Sequence, residues 1–159
     1  QHLIIPLLGV NVVKHGAGCV GGIGFMTGTL GEAPQQKAVY RTERQFTLLD
    51  SNGKKTRFLF QVKTTLGLGN VQQLQSRAEA YRPEQPFDAV ISRAFTSLAV
   101  MTETCEHLLS KHGRFYAMKG QYPEQELSEL PKHYNVVGSH RLVVPGIEGH
   151  RHLIEIAPA

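Results

Sequence analysis

The chain of 159 residues is 41% hydrophobic and 19% charged, which is ordinary for one globular domain and excludes a disordered protein. Its formal net charge of +4 would favour approach to a polyanion. The apolar run at residues 2–13 is too short to cross a bilayer and lacks the basic start of a signal peptide. The two cysteines, Cys19 and Cys105, lie far apart, as is typical of a reducing compartment. We therefore expect a cytoplasmic protein without a membrane partner.

The first 44 residues have the least regular pattern. Residues 3–13 predict one or two short apolar elements. Gly16, Gly18 and Gly21 then match GxGxxG, a loop pattern that lets the backbone approach a nucleotide closely. Because glycines are plentiful there, several registers satisfy this pattern. Residues 27–44 have no clean period and predict a loop where a crossover helix would be expected.

The next segment, FTLLDSNGKKTRFL, predicts a strand that ends at Asp50, a tight turn and a helix. An acidic residue at the carboxyl end of a buried strand is the position where doubly wound sheets bind ribose hydroxyls. The structural alternative is that Asp50 caps the helix. Lys54, Lys55 and Arg57 oppose the helix macrodipole, which indicates an external anion.

The remaining elements alternate between helices and strands. In the first helix, the predicted buried stripe consists of four apolar residues: Phe58, Leu59, Val62 and Leu66. The pattern predicts strands at residues 71–75, 87–92, 114–118, 134–144 and 152–156. The pattern also predicts a second helix, which begins at a Ser97 cap and ends at Lys111, His112 and Gly113. One face of this helix contains Leu98, Met101, Cys105 and Leu108. A short helix around Leu127 and Leu130 stops at Pro131.

The last two strands have only a short turn between them, so they must be antiparallel. The sum is an α/β fold with a Rossmann-like mixed sheet and an antiparallel C-terminal strand pair. This is the layout of the class I S-adenosylmethionine-dependent methyltransferases. We expect one such domain over residues 1–159, with the assignment weakest over residues 1–44.

From about residue 45 to residue 156 the chain resembles the glucose-inhibited division protein B family, the bacterial small-subunit ribosomal RNA guanine-N7 methyltransferases. The residues that carry the resemblance are FTLLDSNGKKTRFL, QSRAEAYRPEQPFDAVISRAFTSL, GRFYAMKGQYPEQE and GHRHLIEI. It implies S-adenosyl-L-methionine as cofactor and 16S ribosomal RNA, or the small-subunit ribosomal particle, as partner. We expect a monomer.

The resemblance also implies site residues. Asp50 would bind the cofactor ribose, Ala78 and Glu79 its adenosyl part, and Arg93 would lie beside it. The full set of implied cofactor contacts is Gly16, Gly18, Val20, Asp50, Ala78, Glu79 and Arg93. Arg93 and Lys119 would form the catalytic pair, and the basic face with Lys54, Lys55 and Arg57 would approach RNA phosphate.

Methylation of guanine N7 makes few demands on the protein. The N7 atom is a lone-pair acceptor and carries no proton at neutral pH, so no general base is required. Most of the rate gain would come from positioning. Arg93 or Lys119 could hold a phosphate or the guanine O6, whereas the structural alternative pairs each with a carboxylate such as Asp88. Base stacking would need exposed aromatic rings, for which Phe95, Tyr116 and Tyr122 are candidates, although the first two fit a core role better.

Other functions remain open at this point. His150 and His152 would share a strand face, but no further ligands at suitable spacing accompany them, so we predict no metal site. Lys14 stands where the family has an acidic residue, and we expect residues 1–159 to lack the family's N-terminal helical region. Lys14 and the irregular segment at residues 27–44 favour a noncatalytic RNA-binding remnant as the alternative, whereas the presence of Asp50, Glu79 and Arg93 together argues against it. The glycine pattern would also fit an NAD-dependent oxidoreductase, but Asp50 lies farther than ~20 residues beyond it.

Overall fold

In a computed structural model of the chain, the structure describes residues 2–6, 45–93, 95, 97–143 and 149–159. Seven strands occur in these ranges: β1 (His2–Pro6), β2 (Gln45–Asp50), β3 (Val71–Gln75), β4 (Phe87–Ser92), β5 (Leu109–Lys119), β6 (Tyr134–Arg141) and β7 (His152–Pro158). The described helices are α1 (Gly53–Thr65), α2 (Leu98–Cys105) and α3 (Glu124–Ser128), and a 3-10 turn at Glu106–Leu108 follows α2. No helix within these ranges is long and apolar enough to span a membrane.

The strands form one mixed sheet in the order β3-β2-β1-β4-β5-β7-β6. Strands β1 to β5 are parallel, whereas β7 runs antiparallel to both β5 and β6. The predicted mixed sheet with its antiparallel C-terminal pair is therefore confirmed. Insertion of β7 between β5 and β6 departs from the 3-2-1-4-5-6 order of dinucleotide-binding domains, which disfavours the oxidoreductase alternative.

The central strands are buried on both faces of the sheet. Leu49 and Val90 pack on one face with α2, while Leu48, Ala89 and Ile91 pack on the other with Leu59 of α1. Adjacent residues of a strand point to opposite faces, so each central strand needs a continuous apolar run. This burial explains why FTLLD and FDAVIS lack polar alternation.

Helix α1 begins as predicted, but its buried face differs from the predicted stripe. Asn52 caps the helix, and Thr56 and Leu59 are its buried residues. Phe58, which we expected in the core, is 57% exposed. Successive helical residues are rotated by about 100°, so a buried face centred on Thr56 and Leu59 directs Phe58 sideways. The Thr56 hydroxyl can lie there because it donates to the Gly53 carbonyl at 3.1 Å.

The predicted end of α2 is also wrong. The helix ends at Cys105, and Lys111, His112 and Gly113 belong to β5, which begins at Leu109. Strand pairing with β4 extends this far because Phe87 pairs with Leu109. A Cβ atom on Gly113 would lie 2.9 Å from the Phe87 carbonyl oxygen, so this glycine permits close approach of the two strands.

Burial makes Cys105 an unreactive thiol, as its predicted core role requires. Its side chain is fully buried in α2, and burial, followed by the negative charge of Glu79, raises the pKa of the Cys105 thiol to about 12. Because the thiolate is the reactive form, we expect the folded Cys19→Ser variant to resist a thiol-modifying reagent at pH 8 and to react at once in urea. Fast modification of the native variant would contradict this burial.

Candidate functional site

The candidate site lies at the carboxyl edge of the five parallel strands, between β1 and β4. The strand order reverses at this point, because β2 and β3 follow on one side of β1 and β4 and β5 follow on the other. Ligands of open α/β sheets bind in the crevice at this position. Ile4 pairs with both Thr47 and Val90, so these two residues are level across the sheet. Counting three residues forward on each strand places Asp50 level with Arg93.

Asp50 ends β2 with its side chain only 2% exposed. Its Oδ1 accepts a hydrogen bond from the Asn52 backbone N–H at 2.7 Å, whereas no described residue donates a hydrogen bond to Oδ2. The helix cap is Asn52, whose side chain accepts from the Lys54 N–H at 2.9 Å, so Asp50 is not the cap. A buried carboxylate oxygen without a hydrogen bond is costly, and the Lys55 ammonium offsets its charge without donating a hydrogen bond, so Oδ2 is a candidate acceptor for a ligand hydroxyl.

The three basic residues of α1 do not behave alike. Lys55 Nζ lies 3.4 Å from Asp50 Oδ2, so its ammonium group forms an ion pair within the protein. The sequence predicted an external anion for the basic residues of this helix, but the anion beside Lys55 is the carboxylate of Asp50. Lys54 and Arg57 are exposed, and their charged groups form no ion pair or hydrogen bond with any described residue. Only these two therefore remain free for phosphate.

The turn after β3 brings Ala78 and Glu79 to the same edge. Asp50 pairs with Gln75 in the sheet, and the Asp50 carbonyl accepts from the Ser76 N–H at 3.1 Å, which joins the ends of the two strands. Ala78 is buried against the core, whereas the Glu79 side chain is exposed. An apolar side chain and a carboxylate thus follow the end of β3, at the same edge of the sheet as Asp50.

The end of β4 contributes a buried hydroxyl and an exposed cation. Ser92 is 2% exposed, and its Oγ has no hydrogen-bond partner in the described ranges. Arg93 follows it, exposed and without an ion pair to any described residue. The predicted alternative partner Asp88 lies five residues back, and a strand rises about 3.3 Å per residue, so it is too far away. Ser92 was not among the predicted site residues.

Lys119 has a partner that the sequence did not reveal. Its Nζ donates to both carboxylate oxygens of Glu126, at 2.6 and 2.9 Å, and neither side chain is fully exposed. Glu126 Oε2 also accepts from the Leu98 N–H at 2.8 Å, at the first residue of α2. This carboxylate therefore links the end of β5 to the start of α2.

This network predicts strong coupling between Lys119 and Glu126. We expect Lys119→Met and Glu126→Gln each to lower the free energy of unfolding by about 1–3 kcal/mol, because each leaves a charged partner unpaired. The double variant should lose clearly less than the sum of the two, which urea denaturation of all four proteins would measure. Additivity within about 0.5 kcal/mol would show that the pair is not coupled.

Some predicted residues lie outside this geometry. Gly16, Gly18 and Val20 fall outside the described residues, so their role in cofactor binding stays a prediction. Phe95 and Tyr116 are partly buried against the core, and the Tyr116 hydroxyl donates to Glu155, whereas Tyr122 is 46% exposed. The described ranges contain no group of three or more His, Cys, Asp or Glu residues that could hold a metal ion.

Solved structures similar to this chain include methyltransferases. The glycopeptide N-methyltransferase MtfA complexed with S-adenosylmethionine has a TM-score of 0.61 at 10% identity, with 74% of each chain covered. TrmN from Thermus thermophilus has a TM-score of 0.57 at 13% identity, covering 73% of this chain and 37% of that one. Together with the strand order, these likenesses establish the Rossmann-like fold of the class I S-adenosylmethionine-dependent methyltransferases.

The family follows from closer relatives. The model of the family described as rRNA small subunit methyltransferase G matches residues 37–154. The ribosomal RNA small subunit methyltransferase G of Saccharophagus degradans is 57% identical over 122 residues, which cover 77% of this chain and 55% of that protein. The Escherichia fergusonii protein of the same name is 52% identical over 121 residues, covering 76% and 58%. The chain belongs to this family and spans just over half the length of these relatives.

Proposed function

We propose that this chain binds S-adenosylmethionine at the β1–β4 crevice and methylates guanine N7 in 16S ribosomal RNA. The observation that carries the proposal is the buried carboxylate of Asp50, whose Oδ2 is ion-paired with Lys55 but accepts no hydrogen bond from a described residue, in register with the exposed Arg93 at the end of β4. Membership of the rRNA small subunit methyltransferase G family supports the reaction and the substrate.

The residues at the crevice fit this cofactor. Asp50 Oδ2 could accept from a ribose hydroxyl, and the buried Ser92 Oγ offers a second polar group at the same edge. Ala78 could contact the adenine while Glu79 accepts from its amino group. S-adenosylmethionine would supply an electrophilic methyl group on a charged sulfonium.

The protein's part in the chemistry would be to position the base. Guanine N7 offers a lone pair and has no proton to lose, so the site needs no residue that abstracts one. Arg93, exposed and unpaired among the described residues, suits a phosphate or the guanine O6. Lys119, already bound to Glu126, suits this direct role less well and would act by holding its surroundings. Rate gain would come from alignment of the acceptor with the methyl group.

The basic residues of α1 would add affinity for RNA. Lys54 and Arg57 are exposed on the helix that follows Asp50, and the chain has a formal net charge of +4. Phosphate contacts of this kind favour binding without reading sequence. A ribosomal substrate would place the protein in the cytoplasm, acting on naked RNA or on the small-subunit particle.

The test is incubation of this chain with S-adenosylmethionine carrying a labelled methyl group and with either unmodified 16S ribosomal RNA or the unmodified small-subunit particle. We expect the label in 7-methylguanosine after digestion to nucleosides. RNA binding without cofactor binding would favour the noncatalytic remnant. Label in another nucleoside would overturn the choice of guanine N7, and binding of NAD alone would overturn the methyltransferase proposal.

A further inference from the structure

Three rings form an exposed surface beside the crevice, here called the ring patch and defined as Tyr122, His150 and His152. The rings of Tyr122 and His152 meet edge to face with centroids 5.7 Å apart. Those of His150 and His152 are stacked with centroids 6.4 Å apart. Tyr122 and His150 are exposed, and His152 is half-buried between them. Proposed cofactor binding does not use these rings.

The ring patch lies at the same edge of the sheet as Asp50 and Arg93. His152 begins β7, which is antiparallel to β5, and it pairs with Lys119 at the carboxyl end of β5. Ala117 pairs with Ser92, so Lys119 lies only two residues beyond the end of β4. An RNA chain with one nucleotide bound in the crevice could therefore continue over these rings.

The patch is held in place before any ligand binds. His152 Nδ1 lies 3.0 Å from the Gly120 carbonyl oxygen, to which it donates a hydrogen bond. This bond fixes the ring orientation against the end of β5. Tyr122 packs against that fixed ring, so binding would lose little side-chain entropy.

Cationic groups flank the rings. Arg141 pairs with His152 across β6 and β7 and is exposed, and its guanidinium forms no ion pair or hydrogen bond with any described residue. Arg151 lies between the two histidines, and its Nη1 donates to the His150 carbonyl at 2.8 Å. Glu126 of α3 is neutralised by its ion pair with Lys119. Rings interleaved with cations form the surface that unpaired nucleotides bind by stacking and phosphate contacts.

We propose that the ring patch binds unpaired RNA bases next to the nucleotide that enters the crevice. Tyr122 and His150 would stack on bases, His152 would hold the two rings apart in a fixed orientation, and Arg141 would contact phosphate. This inference rests on the proposed function for its choice of RNA as ligand. It adds a second contact surface, on the opposite side of the crevice from α1.

The test uses a fluorescein-labelled single-stranded RNA of mixed sequence and its duplex, with affinity measured by anisotropy. We expect Tyr122→Leu and His150→Leu each to weaken single-strand binding by roughly 5- to 150-fold, the range of one stacked base. Tyr122→Phe keeps the ring and should bind within about twofold of the unchanged protein. His133→Leu removes an exposed imidazole beside Tyr134, at the opposite end of the β6–β7 pair from His152, and should have no effect.

The outcomes separate this inference from the proposed function. S-adenosylmethionine affinity should be the same in all four variants, because none of these residues belongs to the proposed cofactor site. Unchanged single-strand affinity of Tyr122→Leu and His150→Leu would overturn the ring patch even if the protein methylates guanine. An equal loss on the duplex would also overturn it, since stacking requires unpaired bases. Ring-dependent RNA binding by a chain without methyltransferase activity would support the ring patch as an RNA-binding surface and refute the proposed enzymatic function.

Discussion

Replacing Asp50 with alanine is expected to weaken binding of S-adenosylmethionine and S-adenosylhomocysteine by roughly 10- to 150-fold. The estimate corresponds to the loss of about 1.5–3 kcal/mol from a hydrogen bond to a charged group. The Asp50 side chain is 2% exposed, and its Oδ2, although ion-paired with Lys55, accepts no hydrogen bond from a described residue, so a ribose hydroxyl would meet an acceptor that water barely reaches. Calorimetric titration with both ligands, and with NAD as a comparison, would measure the change.

Two control variants separate this role from a general loss of structure. Asp88→Asn removes a carboxylate at the other end of β4, and it should leave cofactor affinity unchanged. Lys55→Ala removes the ion pair to Asp50 while keeping the carboxylate, so affinity should not fall. Thermal unfolding monitors the fold of each variant. Cofactor binding by Asp50→Ala equal to that of the unchanged chain would refute the ribose role.

The strand pattern was predictable because each strand of this sheet has a strong local signal. FTLLD and FDAVIS are apolar runs of strand length, and both form buried central strands. The short turn before His152 admits only an antiparallel partner, and the sheet confirms that pairing. Helix faces were less certain, because Phe58 and Leu59 are neighbours in sequence and periodicity alone fitted either as the centre of the buried stripe.

The start and end of elements failed where tertiary contacts decide them. Lys111, His112 and Gly113 match a helix terminus by composition. Pairing of Leu109 with Phe87 instead draws the segment into β5, and no local rule predicts a partner 22 residues away. The absence of a side chain at Gly113 serves strand packing there, although glycine is equally typical of a helix end.

The site was predictable where one residue terminates one strand. Asp50 and Arg93 lie at strand ends, and parallel strands bring their carboxyl ends to one edge. Glu126 escaped prediction because its contact with Leu98 spans 28 residues from a helix of only five. A signal was present, since α2 has no acidic residue in its first turn to accept its free N–H groups.

Replacing Arg93 with alanine should lower kcat/KM for methylation of 16S ribosomal RNA by roughly 10- to 150-fold, through the loss of about 1.5–3 kcal/mol of charge-assisted hydrogen bonding. The guanidinium is exposed at the crevice and makes no ion pair with a described residue. Its removal therefore leaves no described carboxylate unpaired and should leave the unfolding temperature nearly unchanged. Stability and activity should therefore separate in this variant.

The split between kcat and KM would show how Arg93 acts. A fall in kcat at unchanged KM would place its contact in the transition state, whereas a rise in KM alone would indicate uniform binding of RNA or cofactor. Arg93→Lys keeps the charge but loses the planar fork, so only a bidentate contact would make it nearly as poor as alanine. Arg114→Ala removes an arginine that binds Glu155, and it should lower stability without changing either constant. Full activity of Arg93→Ala would reduce Arg93 to a solvated surface cation, and the crevice would then depend on Asp50 and its neighbours alone.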